Sequence, residues 1–245
     1  MRSSHDASGA EHIVVGVLGV LGVLGGMGPD ATVAFMQQVI QATPAEDDID
    51  HVHMVVDNNP KVPSRIKALL EGGDVSPGPA IAEMAQRLEQ SGCDFLVMPC
   101  NTAHYYWQDA QDAVSIPVWH IVERTLDWVA AQWPGARVGM LCSPALRKIG
   151  LYEGLIAARG LSLAYPQDED AMLEVIRSVK KGQVSDDAVG GAFRQAAADL
   201  VAQKADVLVL ACTELSIISH LLDDRLPIVD SVEALAVSVA QAATQ

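Results

Sequence analysis

Basic residues are scarce in this chain of 245 residues: 16 Lys and Arg stand against 31 Asp and Glu, a formal net charge of −15. Binding to nucleic-acid phosphates needs clustered Lys and Arg, so this deficit argues against a nucleic-acid partner. Apolar residues, by contrast, make up 50% of the sequence and recur throughout it. A disordered chain is therefore excluded, and the length predicts one large α/β unit or two lobes with separate cores.

Long hydrophobic runs are also missing. A transmembrane helix needs roughly 18–20 consecutive apolar residues, whereas the nearest candidate, residues 13–26, is shorter and contains five glycines. The segment before it carries Arg2 against Asp6 and Glu11, and no A-x-A cleavage site follows. A secretory signal is therefore not predicted, and we expect a cytoplasmic protein without a membrane partner.

Cysteine is limited to four residues, and none of them forms a C-x-x-C pair: Cys93, Cys100, Cys142 and Cys212. Cys93 and Cys100 flank a predicted strand, which would separate them by roughly 23 Å, too far for a disulfide. Free thiols in a reducing compartment are the simplest interpretation.

Short apolar segments alternate with longer segments of helical periodicity along most of the chain. This alternation predicts βαβ units, and Val-rich strands without polar alternation indicate parallel sheets covered on both faces. The predicted strands are 17–24, 53–56, 95–98, 118–121, 137–141, 162–164, 207–210 and 228–229. The predicted helices are 31–42, 79–91, 125–131, 146–159, 169–181, 188–203 and 232–243.

An internal repeat accompanies this alternation. Residues 94–102 (DFLVMPCNT) match residues 206–214 (DVLVLACTE), and 116–123 (IPVWHIVE) match 226–233 (LPIVDSVE). Two landmarks in the same order, offset by about 110 residues, indicate a duplicated lobe, although any two buried strands can look alike. We predict a first lobe of residues 13–120 plus 229–245 and a second of 121–228, with a cleft between them.

Each repeat contains a cysteine, Cys100 or Cys212, which follows an apolar strand and precedes helix-compatible sequence. Ligands of open α/β sheets bind outside the carboxyl ends of strands, and a helix N-terminus favours a thiolate. Two thiols facing one substrate can remove a proton from one face of a carbon and return one to the other, which is racemisation or epimerisation. The alternative is that each is a small core residue. Cys93 and Cys142 we interpret as structural.

His104 lies four residues after Cys100, so on a helix it would share that face. It either tunes the thiol or only forms a local hydrogen bond, and the sequence leaves both open. A single-cysteine acyl-transfer enzyme would instead need such a histidine as base and a third group to orient it.

Five motifs together resemble the aspartate racemase branch of the Asp/Glu racemase superfamily: residues 25–32 (GGMGPDAT), 58–65 (NNPKVPSR), 98–104 (MPCNTAH), 211–215 (ACTEL) and 230–231 (DS). Glutamate racemases carry Cys-Thr-His at the second site, so Glu214 argues against that branch. The resemblance implies a cofactor-independent enzyme, a homodimer, and Cys100 and Cys212 as the two acid/base thiols.

The resemblance also implies the substrate contacts. Asn101, Thr102 and Thr213 would hold the α-carboxylate. Lys180 matches the Lys that meets the side-chain carboxylate, and Arg65 matches an Arg of the family pattern, so both cations would suit a dicarboxylate. The alternative is that both are solvated surface charges. The remaining expected substrate contacts are Glu214, Met27, Gly28 and Asn59.

Three positions depart from the family pattern. Ser64 stands where an Asp is usual, Ile176 where a Tyr is frequent, and residues 141–146 (LCSPAL) replace an Ala-Thr-x-Gly-Thr loop. All three concern substrate contacts and none concerns the thiols. Aspartate, or aspartate and glutamate, is the expected substrate. The competing functions are a same-fold isomerase or decarboxylase of a small dicarboxylate and a non-catalytic dicarboxylate-binding module.

Other motifs are weaker. Residues 26–31 satisfy the dinucleotide-binding pattern G-x-G-x-x-A after a strand. A dinucleotide site would place an acidic residue about twenty residues further on, whereas here the next strand ends about thirty residues on. The acidic segment 47–53 with its two histidines is read as a solvated loop rather than a metal site. We therefore predict neither a metal nor a cofactor.

Overall fold

Two four-stranded parallel sheets form the framework of the protein. The computed structural model describes residues 19–183, 187–223 and 225–243; the beginning of the predicted first lobe lies outside these ranges. A strand lies at each of the eight predicted places. The strands are β1 (Leu21–Gly25), β2 (Met54–Asn58), β3 (Phe95–Val97), β4 (Val118–Trp119), β5 (Arg137–Cys142), β6 (Ser162–Ala164), β7 (Val207–Ala211) and β8 (Ile228–Asp230).

Helices connect and cover the strands. They are α1 (Pro29–Ala42), α2 (Arg65–Leu70), α3 (Gly78–Gln90), α4 (Trp107–Asp112), α5 (Ile121–Gln132), α6 (Pro144–Lys148), α7 (Glu153–Ile156), α8 (Glu169–Lys180), α9 (Asp187–Ala202), α10 (Thr213–Ile217) and α11 (Ser231–Ala243).

One helix prediction is wrong. The sequence predicts a single helix over 146–159, whereas the structure has α6 and α7 separated by a turn at Gly150. Gly150 has a φ of 64°, a left-handed conformation that glycine adopts without steric cost and that ends a helix. Short helices α2, α4 and α10 were not predicted.

The two sheets have the same strand order, β2-β1-β3-β4 and β6-β5-β7-β8. Equivalent side chains also make equivalent contacts: Asp94 accepts from the Val20 N–H at 2.6 Å, and Asp206 accepts from the Arg137 N–H at 2.7 Å. Each pair joins the start of the cysteine-bearing strand to its neighbour. The predicted fold class, α/β with two pseudo-symmetric lobes, is confirmed.

A shared apolar core holds the two sheets together. Helix α11 packs on both α1 and α5, and the cluster there joins residues of both sheets, including Leu21, Val138 and Val209, with Phe35 and Leu235 of the helices. All five are fully buried. The cysteine-bearing strands β3 and β7 are therefore fixed relative to each other by one core.

No helix within the part of the chain that the structure describes is both long and apolar enough to span a bilayer.

Candidate active site

Both repeated cysteines lie just beyond the carboxyl end of their strand. Cys100 comes three residues after β3, and Cys212 directly follows β7 and precedes α10. Each is 8% exposed, and both line one cleft between the sheets. The structure thus brings together the two thiols that the repeat singled out, although 112 positions separate them in the sequence.

The cleft contains about 390 Å³ of space between protein atoms, a figure that includes its opening to solvent. Parts of both sheets contribute to it, together with α2 and α8. The lining residues are Met27, Ser64, Arg65, Ile66, Cys100, Asn101, Thr102, Ser143, Ile176, Lys180, Ala211, Cys212, Thr213 and Glu214.

The turn after β1 brings Met27 to the cleft. Gly26 has a φ of 85°, and a Cβ there would lie 2.3 Å from the backbone carbon of Asn59, so only glycine fits. The Asn59 side chain stabilises its own turn by accepting from the Lys61 N–H at 3.0 Å. Gly28 lies beside the cleft, where a Cβ would be 3.6 Å from Glu214 Oε1. Neither Gly28 nor Asn59 is among the lining residues.

Glu214 links the second thiol to a cation. The Cys212 Sγ donates to Glu214 Oε2 at 3.1 Å, and Lys180 Nζ lies 3.2 Å from Glu214 Oε1. Burial and the neighbouring carboxylate raise the pKa of the Cys212 thiol well above its ordinary value. Burial alone would lower the pKa of Lys180, but Glu214 and the two thiols outweigh it and raise that pKa.

The second cation of the cleft, Arg65, is held at the start of α2. Its Nη1 donates to the Pro63 carbonyl at 3.1 Å and is 3.4 Å from the Val62 carbonyl. The buried Nε has no hydrogen-bond partner among the described residues. The guanidinium of Arg65 is therefore not fully paired within the part of the chain that the structure describes.

The Asn101 side chain is part of a buried hydrogen-bond network. Its Nδ2 donates to Ser231 Oγ at 2.7 Å, and its Oδ1 accepts from the Tyr152 hydroxyl at 2.7 Å. Ser231 in turn donates to the carbonyl of Leu210 in β7 at 2.8 Å. The side chain predicted to hold substrate thus also ties the Cys100 turn to the strand that carries Cys212.

His104 is buried behind Cys100. Its Nδ1 lies 2.9 Å from the Cys100 carbonyl oxygen, and its Nε2 accepts from the Ile121 N–H at 3.1 Å. The Nδ1 must therefore carry the proton. Burial, with a smaller contribution from His120, lowers the pKa of His104 to about 3, so the ring is neutral. Of the two predicted roles, this geometry favours the local one, in which His104 positions the backbone of Cys100.

Some lining residues were not predicted as site residues. Ser143 follows β5 and caps α6 by accepting from the Ala145 N–H at 3.2 Å, and Ile66 lies in the first turn of α2. A strand end followed by Ser-Pro is a helix-start signal, and it predicts Ser143 as the capping residue at the carboxyl end of a strand. The departures Ser64 and Ile176 also line the cleft, as does Ser143 of the departing segment 141–146.

The other two cysteines, Cys93 and Cys142, are buried and do not line the cleft. Burial raises the pKa of both thiols. No group of three or more His, Cys, Asp or Glu within the described ranges is arranged to hold a metal ion.

Known proteins are similar to this chain in sequence and in fold. The structure of an aspartate racemase from Picrophilus torridus superposes with a TM-score of 0.79 and 30% sequence identity, covering 92% of this chain and 94% of that one. The broad specificity amino-acid racemase RacX of Bacillus subtilis is 29% identical over 217 residues, 86% of this chain and 92% of RacX. A glutamate racemase of Corynebacterium glutamicum is 25% identical over 167 residues, 66% of this chain and 60% of that protein.

The model of the Asp/Glu/hydantoin racemase family matches residues 24–239. The chain belongs to this family. The predicted class of enzyme, an isomerase that racemises amino acids, is thereby confirmed.

Proposed function

We propose that this racemase acts on amino acids with a second carboxylate, aspartate first and glutamate next, and that Cys100 and Cys212 are its two acid/base groups. The observation that carries the proposal is that these two thiols, from equivalent strand ends, line one cleft that also contains Arg65. No cofactor is required in this mechanism, since the thiols themselves exchange the proton.

The reaction begins with an amino acid whose α-carbon lies between the thiols. One cysteine, as the thiolate, removes the α-proton, and the other, as the thiol, donates a proton to the opposite face. Because burial raises the pKa of Cys212, its thiolate is a stronger base than an exposed one. The hydroxyls of Thr102 and Thr213, which line the cleft beside the cysteines, would bind the α-carboxylate.

Charge supports a dicarboxylate substrate. The charged lining residues are Arg65, Lys180 and Glu214, so the cleft carries a net charge of about +1 with both thiols protonated, in a strongly acidic chain. Arg65 forms no ion pair with a carboxylate of the described residues, whereas Lys180 already has Glu214 as its counter-ion. We therefore expect Arg65 to contribute more to selectivity than Lys180, and a charge-assisted contact is worth about 1.5–3 kcal/mol.

The test is α-proton exchange in D2O, followed by NMR over a panel of L- and D-amino acids. We expect exchange with aspartate, and tenfold to a hundredfold slower exchange for Arg65→Ala, as the contact energy implies. Cys100→Ser and Cys212→Ser should each lose racemisation in both directions by orders of magnitude, because a hydroxyl is a far weaker acid than a thiol.

Cys142→Ser is the matched control, since its thiol is buried outside the cleft, and it should retain activity. Near wild-type rates in either active-site cysteine variant would refute the two-thiol mechanism. Exchange with neutral amino acids only would refute the dicarboxylate substrate. Binding without exchange of any amino acid would favour a non-catalytic dicarboxylate-binding protein.

The homodimer, the cytoplasmic location and the lobe boundaries inferred from the sequence stay predictions. Sedimentation of the purified chain would test the first of them.

A further inference from the structure

The two thiols of the cleft have different surroundings. The Cys212 Sγ is 3.1 Å from a carboxylate oxygen of Glu214, and both residues are almost fully buried, at 8% and 7% exposure. Around Cys100, by contrast, the described residues include no side chain that hydrogen-bonds the thiol; its carbonyl oxygen is the atom that pairs with His104.

A carboxylate at this distance stabilises one protonation state of the thiol. It accepts a hydrogen bond from S–H, but it repels a thiolate, and the repulsion is strong because little water screens the pair. The other oxygen of Glu214 lies 3.2 Å from Lys180 Nζ, so the carboxylate contacts the thiol on one side and a cation on the other.

We propose that Glu214 holds the proton on Cys212 in the substrate-free enzyme, so that Cys100 is the thiol that ionises first. This inference rests on the proposed two-thiol mechanism and assigns its resting state. The charged and titratable groups around Cys212 are Glu214 on α10, Lys180 on α8 and the Cys100 thiol, with Arg65 on α2 acting on Lys180. Of these, Lys180 alone favours the Cys212 thiolate, and Glu214 neutralises it.

The proton balance follows from this resting state. The Cys100 thiolate takes the α-proton, so the Cα–H bond breaks, an S–H bond forms on Cys100 and the electron pair stays on the α-carbon. The Cys212 S–H bond then breaks and its proton forms the new Cα–H bond on the opposite face. Turnover leaves a Cys212 thiolate beside the Glu214 carboxylate and an S–H group on Cys100. The repulsion at Cys212 drives the reset, in which Cys100 releases its proton to solvent and Cys212 takes one up from solvent.

Alkylation of the full-length, substrate-free enzyme tests the proposal without any turnover. Iodoacetamide reacts with thiolates, so labelling of each cysteine peptide as a function of pH, quantified by mass spectrometry, gives an ionisation midpoint for each thiol. We expect the Cys212 midpoint to lie above the Cys100 midpoint. Midpoints are compared rather than rates, so a difference in access of the reagent to the thiols does not affect the result.

Glu214→Gln keeps the shape of the side chain, removes its charge and leaves Lys180 without a counter-ion. We expect the Cys212 midpoint to fall by at least one pH unit, a tenfold gain in labelling well below the midpoint, with a smaller change at Cys100. Lys180→Met should raise the Cys212 midpoint, and this second variant decides the question if Glu214→Gln does not fold. Glu174→Gln removes an exposed carboxylate from the same helix as Lys180 and is the matched control.

Equal midpoints in the wild type, or a Cys212 midpoint that neither variant moves, would overturn the proposal. Failure of the proposed function is a separate result, because it appears as absent α-proton exchange in D2O while the labelling order is unaffected.

Discussion

The hydroxyl of Tyr152 donates a hydrogen bond of 2.7 Å to the side-chain oxygen of Asn101, and both residues are buried. Tyr152 lies between α6 and α7, on the side of the second sheet, whereas Asn101 follows Cys100 beyond the first. With Ser231, this contact forms a continuous set of hydrogen bonds from the Cys100 turn to β7. The turn that carries Cys100 and the strand that precedes Cys212 are thus joined by direct polar contacts as well as by the apolar core.

Tyr152→Phe should therefore destabilise the protein. The variant leaves a buried amide oxygen without its donor, which costs about 1–3 kcal/mol in the free energy of unfolding. Urea denaturation followed by circular dichroism measures this loss. Tyr105→Phe, at a side chain that is 53% exposed, is the control and should change stability by no more than about 0.5 kcal/mol. An unchanged denaturation midpoint for Tyr152→Phe would show that water replaces the lost donor.

His104 should make the fold sensitive to acid. Its pKa is about 3 in the folded protein and about 6.5 in an unfolded chain, so the unfolded state binds the extra proton between these values. The contribution to stability is present above pH 6.5 and is lost as the pH falls towards 3, by at most about 1.4 kcal/mol per pH unit.

The measurement is the unfolding free energy at several pH values between 7.5 and 4.5, for the wild type and for His104→Gln. The variant should be less stable at pH 7.5, because the Cys100 carbonyl and the Ile121 N–H lose a well-placed partner. Its stability should then fall less steeply with acid, because the titrating ring is gone. Parallel curves for the two proteins would contradict this assignment of His104.

Racemisation should survive removal of metals. In the proposed mechanism the two thiols supply both proton transfers, so dialysis against a chelator should leave the rate unchanged. The purified protein should also show no absorbance of bound pyridoxal phosphate or flavin. Iodoacetamide should abolish activity, with protection by substrate, because the reactive group is an accessible thiolate. Recovery of lost activity on adding back a divalent ion would refute cofactor independence.

Much of the fold could be predicted from local patterns. The strands are runs of apolar residues buried on both faces, as in Leu21–Gly25 and Val207–Ala211, and such runs are visible in the sequence. Thr213–Ile217 is too short for a helical spacing of apolar residues to be recognised in the sequence. Arg65–Leu70 has no buried residue, so it has no apolar face that would predict a helix. The sequence does not predict the turn at Gly150, because the residues on both sides of it favour a helix and one glycine does not show its positive φ in the sequence.

The sequence by itself determined the order of the two strand–cysteine segments and the family to which they belong, because those residues are contiguous and their spacing is readable. Only the tertiary structure decided which side chains meet: that Glu214 contacts both Cys212 and Lys180, and that Asn101 reaches Ser231, 130 positions away. The physical reason is that hydrogen bonds and ion pairs between distant segments depend on how the helices and sheets pack, and local periodicity carries no record of that packing.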